Sequence, residues 1–193
     1  PHIHPQSYPL FITFNLVDSL PREVVAELEE QRKRELQAAG NNPEERYKIQ
    51  KKYFGRYDEW LDRCEHGHLW LKSENIAQIV ADEIHNLDGN LYRLLAYCIM
   101  PNHAHLLFES LLQELPHHKG KSAKSPIANT MRLLKGRTAR YCNLALKRNG
   151  AFWHHESYDH YVRDESEMTR IIHYTINNPV KAGLVKEWKD WKF

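Results

Sequence analysis

Two histidines one residue apart are the part of this sequence best suited to chemistry. His103 and His105 lie between hydrophobic residues at 98–100 and 106–108. Side chains alternate along a β-strand, so on a strand both imidazoles would project from the same face. One metal ion could then accept a nitrogen from each ring and keep further positions for water, phosphate or a carboxylate or amide oxygen. Strand histidines also serve as ordinary hydrogen-bonding residues, and the spacing leaves both interpretations open.

A tyrosine on a predicted helix is the second candidate. Met168, Ile172 and Thr175 form the predicted buried face, and Tyr174 lies on its flank. Asn178 follows four residues later, one turn beyond the phenol on the same side. A phenol can attack a phosphodiester if a cation neutralises the phosphate charge and polarises the P–O bond. The Asn178 amide oxygen could complete the metal shell, although a tyrosine at a core boundary is also a common packing residue.

The hydrophobic pattern predicts the elements that would carry these residues. Strands are predicted at residues 10–16, 91–100, 103–109 and 158–162. Helices are predicted at about 74–87, at 127–147 and from 164 until Pro179 ends or kinks the last one. Antiparallel strands with helices on one side indicate an α+β fold, with ferredoxin-like topology as the specific prediction.

The composition changes between the first strand and the next helix. Glu, Lys, Arg, Gln and Ala dominate there, and Gly and Pro at positions 40 and 43 mark a break. The pattern predicts two charged helices, at roughly 22–38 and 43–63. Because acids and bases nearly balance, we interpret segment 18–66 as a solvent-exposed helical insertion in a single domain spanning 1–193. Cys64, His66 and His68 could bind zinc, but they lack a fourth ligand.

The overall composition excludes a membrane protein, a disordered chain and a secreted mini-protein. The chain of 193 residues has a mean hydropathy of −0.70 and no apolar run of the roughly 20 residues that span a bilayer. Three widely spaced cysteines argue against a disulfide framework and for a reducing compartment. With no secretory signal at the start, we expect a cytoplasmic protein that makes no membrane contact.

Positive charge is concentrated in one region, although the net charge is only +2. Between positions 111 and 150 the sequence has nine basic residues and a single acid, Glu114. These basic residues could contact a phosphate backbone, or they could form a solvated helix face next to a loop.

Two blocks of the sequence resemble the single-tyrosine HUH transposases. The first is residues 97–107, YCIMPNHAHLL, in which two histidines flank a hydrophobic residue. The second comprises residues 158–164 and 174–185, with the string NPVKAG at its centre. Within that superfamily, this string is most similar to the REP-associated tyrosine transposases. The resemblance covers residues 10–16 and about 70–185. Ala104 stands where bulkier aliphatic residues are frequent, which changes packing but not metal ligation.

The resemblance implies a ferredoxin-like enzyme that cuts single-stranded DNA beside imperfect hairpins with Mg²⁺ or Mn²⁺. By position, His103 and His105 match the metal histidines, Asn178 the third ligand and Tyr174 the nucleophile. The tyrosine would form a 5′-phosphotyrosine and release a 3′-OH, so the enzyme could also transfer the cut strand to another 3′-OH. Related enzymes act as monomers or as homodimers, and the resemblance implies the prokaryotic cytoplasm or nucleoid as the location. The basic region would line the DNA backbone, with these predicted contacts: Lys119, Lys121, Lys124, Arg132, Lys135, Arg137 and Arg140.

Other functions remain open from the sequence. The chain could be a domesticated relative that binds hairpin DNA with little transposition. It could also be another metal-dependent hydrolase, or an RNA-binding ferredoxin-like domain that uses aromatic residues on its sheet. Tyr158 and Tyr161 are rival nucleophiles, but both lie on a predicted strand without a helical amide partner.

Overall fold

The chain folds into a mixture of strands and helices, and the computed structural model describes residues 8–112 and 126–193. The elements are β1 (Leu10–Asn15), α1 (Arg22–Ala38), α2 (Pro43–Asp62), α3 (Glu74–Leu87), β2 (Tyr92–Ile99), β3 (His103–Ser110), α4 (Pro126–Ala145), β4 (Tyr158–Tyr161) and α5 (Glu165–Lys181). Short 3₁₀ helices lie at Trp70–Lys72 and Trp188–Asp190. Across these two ranges, no helix has the length and apolar character needed to span a membrane. The predicted α+β class is confirmed.

All four strands form one antiparallel sheet with the order β2-β3-β1-β4. Helix α3 precedes β2, and α4 joins β3 to β4, so the core follows the β-α-β-β-α-β order of a ferredoxin-like fold. Register places Thr13 opposite His105 and Asn15 opposite His103. Because paired residues point to the same side of a sheet, both histidines share a face with the odd-numbered residues of β1.

The two faces of the sheet are covered by different helices. On one face, Phe14 and Leu106 pack with α3 and α4 residues such as Val80 and Leu134. On the other face, Phe11 joins a second apolar cluster that includes residues of α2 and α5. The prediction of helices on one side therefore describes α3 and α4 but has to be corrected for the whole chain. Helices α5 and α2 carry apolar residues of their own, and these cover the second face.

Helix α2 begins with a strong local signal. The Asn42 side-chain oxygen accepts hydrogen bonds from the backbone N–H groups of Glu44 and Glu45, and Pro43 occupies the first helical position. The predicted bounds of both charged helices agree with the structure to within a residue. Solvent exposure is correct for α1 and wrong for α2, because Asp58 and Leu61 of α2 are buried against the rest of the chain.

Just after the helical insertion, the backbone at Gly67 packs against the backbone of Asp18 at the beginning of the insertion. The φ of Gly67 is +69°, and a Cβ atom there would overlap the carbonyl oxygen of Asp18. Glycine adopts this left-handed conformation readily and leaves room for the close approach of the two backbones. Gly67 therefore closes the loop that holds α2 against the sheet.

We expect Gly67→Ala to lower the free energy of unfolding by at least about 1–3 kcal/mol, because it adds both backbone strain and a steric overlap. Urea denaturation monitored by circular dichroism measures this change. The matched control is Gly136→Ala in α4, where nothing lies within 4 Å of the added Cβ. That control should stabilise the protein by up to about 1 kcal/mol. Equal unfolding midpoints for both variants would contradict the role given to Gly67.

Candidate active site

The two histidines lie at the start of β3 and are both fully buried. Their Nε2 atoms are 3.1 Å apart, so both rings point to the same position. Their Nδ1 atoms are held by neighbours: His103 lies 2.7 Å from Asn102 Oδ1, and His105 lies 2.8 Å from Thr13 Oγ1. Since the Asn102 amide nitrogen already donates to Leu61 O, its oxygen accepts the Nδ1 proton of His103. The Nε2 atom of His103 then carries a lone pair, as in metal-binding histidines.

Two aspartates from α2 lie directly over this pair. Asp58 Oδ1 is 3.7 Å from His105 Nε2, and Asp62 Oδ1 is 3.7 Å from His103 Nε2. Both Asp58 carboxylate oxygens and Asp62 Oδ1 are buried without a hydrogen-bond partner among the described residues. One ligand atom from each of Asp58, His103 and His105 lies within 4.8 Å of the others. These three residues form a group that could hold a metal ion.

The electrostatics of the group favour a bound cation. Burial, together with the nearby Asp62 charge, raises the pKa of Asp58 well above its usual value, and burial also raises the pKa of Asp62. Burial lowers the pKa of His105 to about 3 and that of His103 well below its usual value. The imidazoles are therefore neutral at physiological pH and cannot neutralise the carboxylates. Buried oxygen atoms without donors, beside neutral nitrogen lone pairs, fit a divalent ion.

Helix α5 brings Asn178 and Tyr174 to the same place. Asn178 is 1% exposed, its amide nitrogen lies 3.2 Å from His105 Nε2, and its Oδ1 is buried without a partner among the described residues. The Tyr174 ring centroid is 5.5 Å from that of His105 and 6.1 Å from that of Phe11. Pro179 was predicted to end or kink this helix, yet the helix continues two residues further, to Lys181.

Lys181 connects the acids with the phenol. Its Nζ lies 2.8 Å from Asp62 Oδ2 and 5.5 Å from the centroid of the Tyr174 ring. Burial would lower the pKa of Lys181, but the hydrogen bond to Asp62 and the Asp62 charge outweigh burial and raise it. Lys181 therefore keeps a positive charge beside the tyrosine, where an anionic phosphate would be attracted.

No family model matches the chain. A stretch of 102 residues, 53% of this chain, is 28% identical to a candidate REP-associated tyrosine transposase of Haemophilus influenzae and covers 57% of that protein. The match thus spans just over half of the relative's length. A solved structure of a REP-associated tyrosine transposase bound to a REP hairpin aligns with all of this chain and 79% of its own, at a TM-score of 0.51 and 16% identity.

The chain resembles the REP-associated tyrosine transposases. The resemblance expected from the sequence is confirmed, and the structural alignment supports a shared fold. A candidate transposase from Deinococcus radiodurans also aligns, with 15% identity, a TM-score of 0.40 and coverage of 92% of this chain and 95% of its own.

The rival tyrosines differ from Tyr174 in their surroundings. Tyr158 stacks on Phe54 with ring centroids 3.9 Å apart, and burial raises its pKa. Tyr161 packs with the apolar cluster on the other face of the sheet. Within the described ranges, Tyr174 is the tyrosine whose ring contacts His105. Tyr174, which the sequence resemblance predicts as the nucleophile, is therefore the tyrosine that lies beside the histidines.

The basic residues of α4 lie apart from this site, because α4 packs on the opposite face of the sheet. Lys135 donates to the carbonyl oxygens of three consecutive residues and to Ser157 Oγ, and burial lowers its pKa to about 8. Arg132, Arg137 and Arg140 are all exposed, and Arg137 also forms an ion pair with Glu83. Lys119, Lys121 and Lys124 lie outside the described residues. DNA binding by the α4 residues stays a prediction.

Sequence reasoning missed the two acids, which lie in the segment interpreted as a solvent-exposed insertion. In the described part of the chain, the group suited to a metal is the one with Asp58, and the zinc candidate of residues 64–68 forms none. A signal for α2 was present: Phe54, Asp58 and Leu61 share one helical face, so an acid interrupts an apolar stripe. The buried acid in that stripe could have indicated a ligand.

We expect Asp58→Asn to raise the melting temperature of the metal-free protein while removing its response to Mn²⁺. The variant replaces a buried, unpaired carboxylate with a neutral amide of the same shape. Wild-type protein should gain about 2.7 kcal/mol of stability at an Mn²⁺ concentration 100 times its Kd.

Thermal unfolding in EDTA and in Mn²⁺ measures both effects. Asp159→Asn, at an exposed position on β4, is the matched control and should respond to Mn²⁺ like the wild type. An undiminished Mn²⁺ shift in Asp58→Asn would show that this carboxylate does not bind the ion.

Proposed function

We propose that this chain is a transposase: a metal-dependent endonuclease and strand transferase that acts on single-stranded DNA at hairpin-flanked sites. The observation that carries the proposal is the convergence of His103, His105 and Asn178 with Tyr174 in a single site. The similarity to a candidate REP-associated tyrosine transposase supports a DNA-processing role. A fold shared with a hairpin-bound member is consistent with hairpin DNA as the partner.

The metal would be Mg²⁺ or Mn²⁺, held by His103, His105 and Asp58, with Asn178 as a further ligand. When bound, the ion would neutralise charge on the scissile phosphate and polarise its P–O bonds. Carboxylate and amide oxygens suit such hard divalent cations. The Asn178 amide now places its nitrogen near His105, and a half-turn of the amide would turn its oxygen to the ion instead.

Tyr174 is the nucleophile in this proposal. Its phenol oxygen attacks the scissile phosphorus, the bond to the 3′-oxygen breaks, and the 5′ end of the DNA remains as a phosphotyrosine. The phenol loses one proton and the departing 3′-oxygen gains one, so the step balances. Because the phosphotyrosine keeps the energy of the broken bond, the 3′-OH of another strand can reverse the reaction without ATP.

We expect Tyr174→Phe to abolish a covalent protein–DNA adduct, because the change deletes only the nucleophilic hydroxyl. The assay incubates labelled hairpin oligonucleotides, taken from around the protein's own gene, with protein in Mn²⁺ or EDTA and analyses them on a denaturing gel. Wild-type protein should form the adduct in Mn²⁺ and not in EDTA.

Tyr161→Phe is the matched control, since Tyr161 packs on the other face of the sheet. It should form the adduct normally. Cleavage that survives in Tyr174→Phe would assign the attack to water or to another tyrosine. Tight hairpin binding without an adduct would instead indicate a binding protein that no longer transposes.

A further inference from the structure

A cavity of about 240 Å³ opens beside the proposed nucleophile, between α2, β4 and α5. Four aromatic residues line it: Phe11, Phe54, Tyr158 and Tyr174. Because Tyr174 also contacts His105, the cavity directly adjoins the metal-binding group. A chemical group in this cavity would therefore lie next to the reacting phosphate.

The aromatic rings make a surface suited to a flat ligand. Phe54 and Tyr158 stack with their planes 20° apart, and Phe11 and Tyr174 meet Phe54 edge-on at centroid distances of 5.8 and 6.5 Å. A cavity of this size has room for one nucleobase. Unpaired bases stack on such side chains with little dependence on sequence, since every base has a π-face.

Charge around the cavity also favours a nucleotide. Lys51 and Arg170 take part in its lining. The acid in the lining, Glu167, is buried and already engaged: it accepts hydrogen bonds from Tyr47 Oη and Arg163 N–H, and Lys51 lies 3.4 Å from it. Although burial opposes it, this hydrogen bonding lowers the pKa of Glu167 to about 2. Its negative charge is therefore compensated locally rather than directed at a phosphate.

A larger groove continues from the cavity and shares Tyr158 and His160 with it. The groove has a volume of about 1040 Å³ and runs between β4 and the pair α1 and α2. Its basic lining residues are Arg32, Lys33, Arg46 and Arg163, against the acids Glu29 and Asp159. A strand whose base occupies the cavity could extend along this groove.

We infer that the cavity binds an unpaired nucleobase of the single-stranded DNA, next to the phosphate that Tyr174 attacks. This inference rests on the proposed function and names a base-binding site for it. It also gives the helical insertion a role, because α2 contributes Phe54 and Lys51 to the cavity. The basic groove beyond β4, rather than α4, would then receive the neighbouring phosphates.

The test compares two labelled strands of equal length by fluorescence anisotropy in EDTA. One is oligodeoxythymidine, and the other carries the same phosphates on abasic deoxyribose. Wild-type protein should bind the thymidine strand about tenfold more tightly, a ratio equal to about 1.4 kcal/mol and within the range for stacking one base. Phe54→Leu should lose this preference and bind the abasic strand as the wild type does.

Three further variants control the comparison. Phe54→Tyr keeps an aromatic face and should keep the preference, which separates stacking from a general loss of folding. Tyr141→Leu removes an exposed aromatic residue of α4 and should also keep it. Arg170→Gln should weaken the binding of both strands equally, because it removes a charge and no stacking surface.

The outcomes separate the base site from the transposase function. Equal wild-type affinity for the two strands, or an unchanged preference in Phe54→Leu, overturns the base site even if the Tyr174-dependent adduct forms. A preference that depends on Phe54, without any adduct on hairpin DNA, supports the base site and overturns the cleavage function. Absence of both the preference and the adduct overturns both proposals.

Discussion

The site depends on a group of carboxylate oxygens that are buried without hydrogen-bond donors in the described part of the chain. Asp58 and Asp62 face two neutral imidazoles, and three of their four carboxylate oxygens have no hydrogen-bond partner among the described residues. Removing a carboxylate from water without a compensating charge is costly, and the cost falls when a cation is bound. The fold therefore keeps a locally unfavourable arrangement that a divalent ion would relieve. This is the usual relation between stability and function at a binding site.

The scaffold supplies the rigidity that such an arrangement needs. The histidines lie on a strand with hydrogen-bonded neighbours on both sides, and Asn102 and Thr13 hold their outer nitrogens. Helix α5 covers them with Asn178 and Tyr174. Helix α2 completes the cover. It is held there by the close backbone contact at Gly67 and by the hydrogen bond from Tyr47 of α2 to Glu167 of α5. Elements far apart in the chain thus meet at one point.

The helical insertion changes how this chain relates to the transposases it resembles. The sequence resemblance covers residues 10–16 and about 70–185, whereas Asp58 and Asp62 both come from α2 within the insertion. The same helix lines the aromatic cavity and the basic groove beside Tyr174. The insertion is therefore part of the site's wall. Most of the charged residues of α1 and α2 are exposed to solvent, whereas Asp58 of α2 is buried.

The sequence by itself predicted the elements and singled out four residues that the structure brings together. Alternating hydrophobic residues, the Asn42 cap and the spacing of His103 and His105 are local signals, and local signals place strands, helices and their faces. Only the tertiary structure decided that helices cover both faces, that α4 lies away from the site, and that Asp58 and Asp62 join it. These depend on contacts between residues distant in the chain. Whether an acid on a charged helix faces water or a histidine is settled by how that helix packs, and no short stretch of sequence records it.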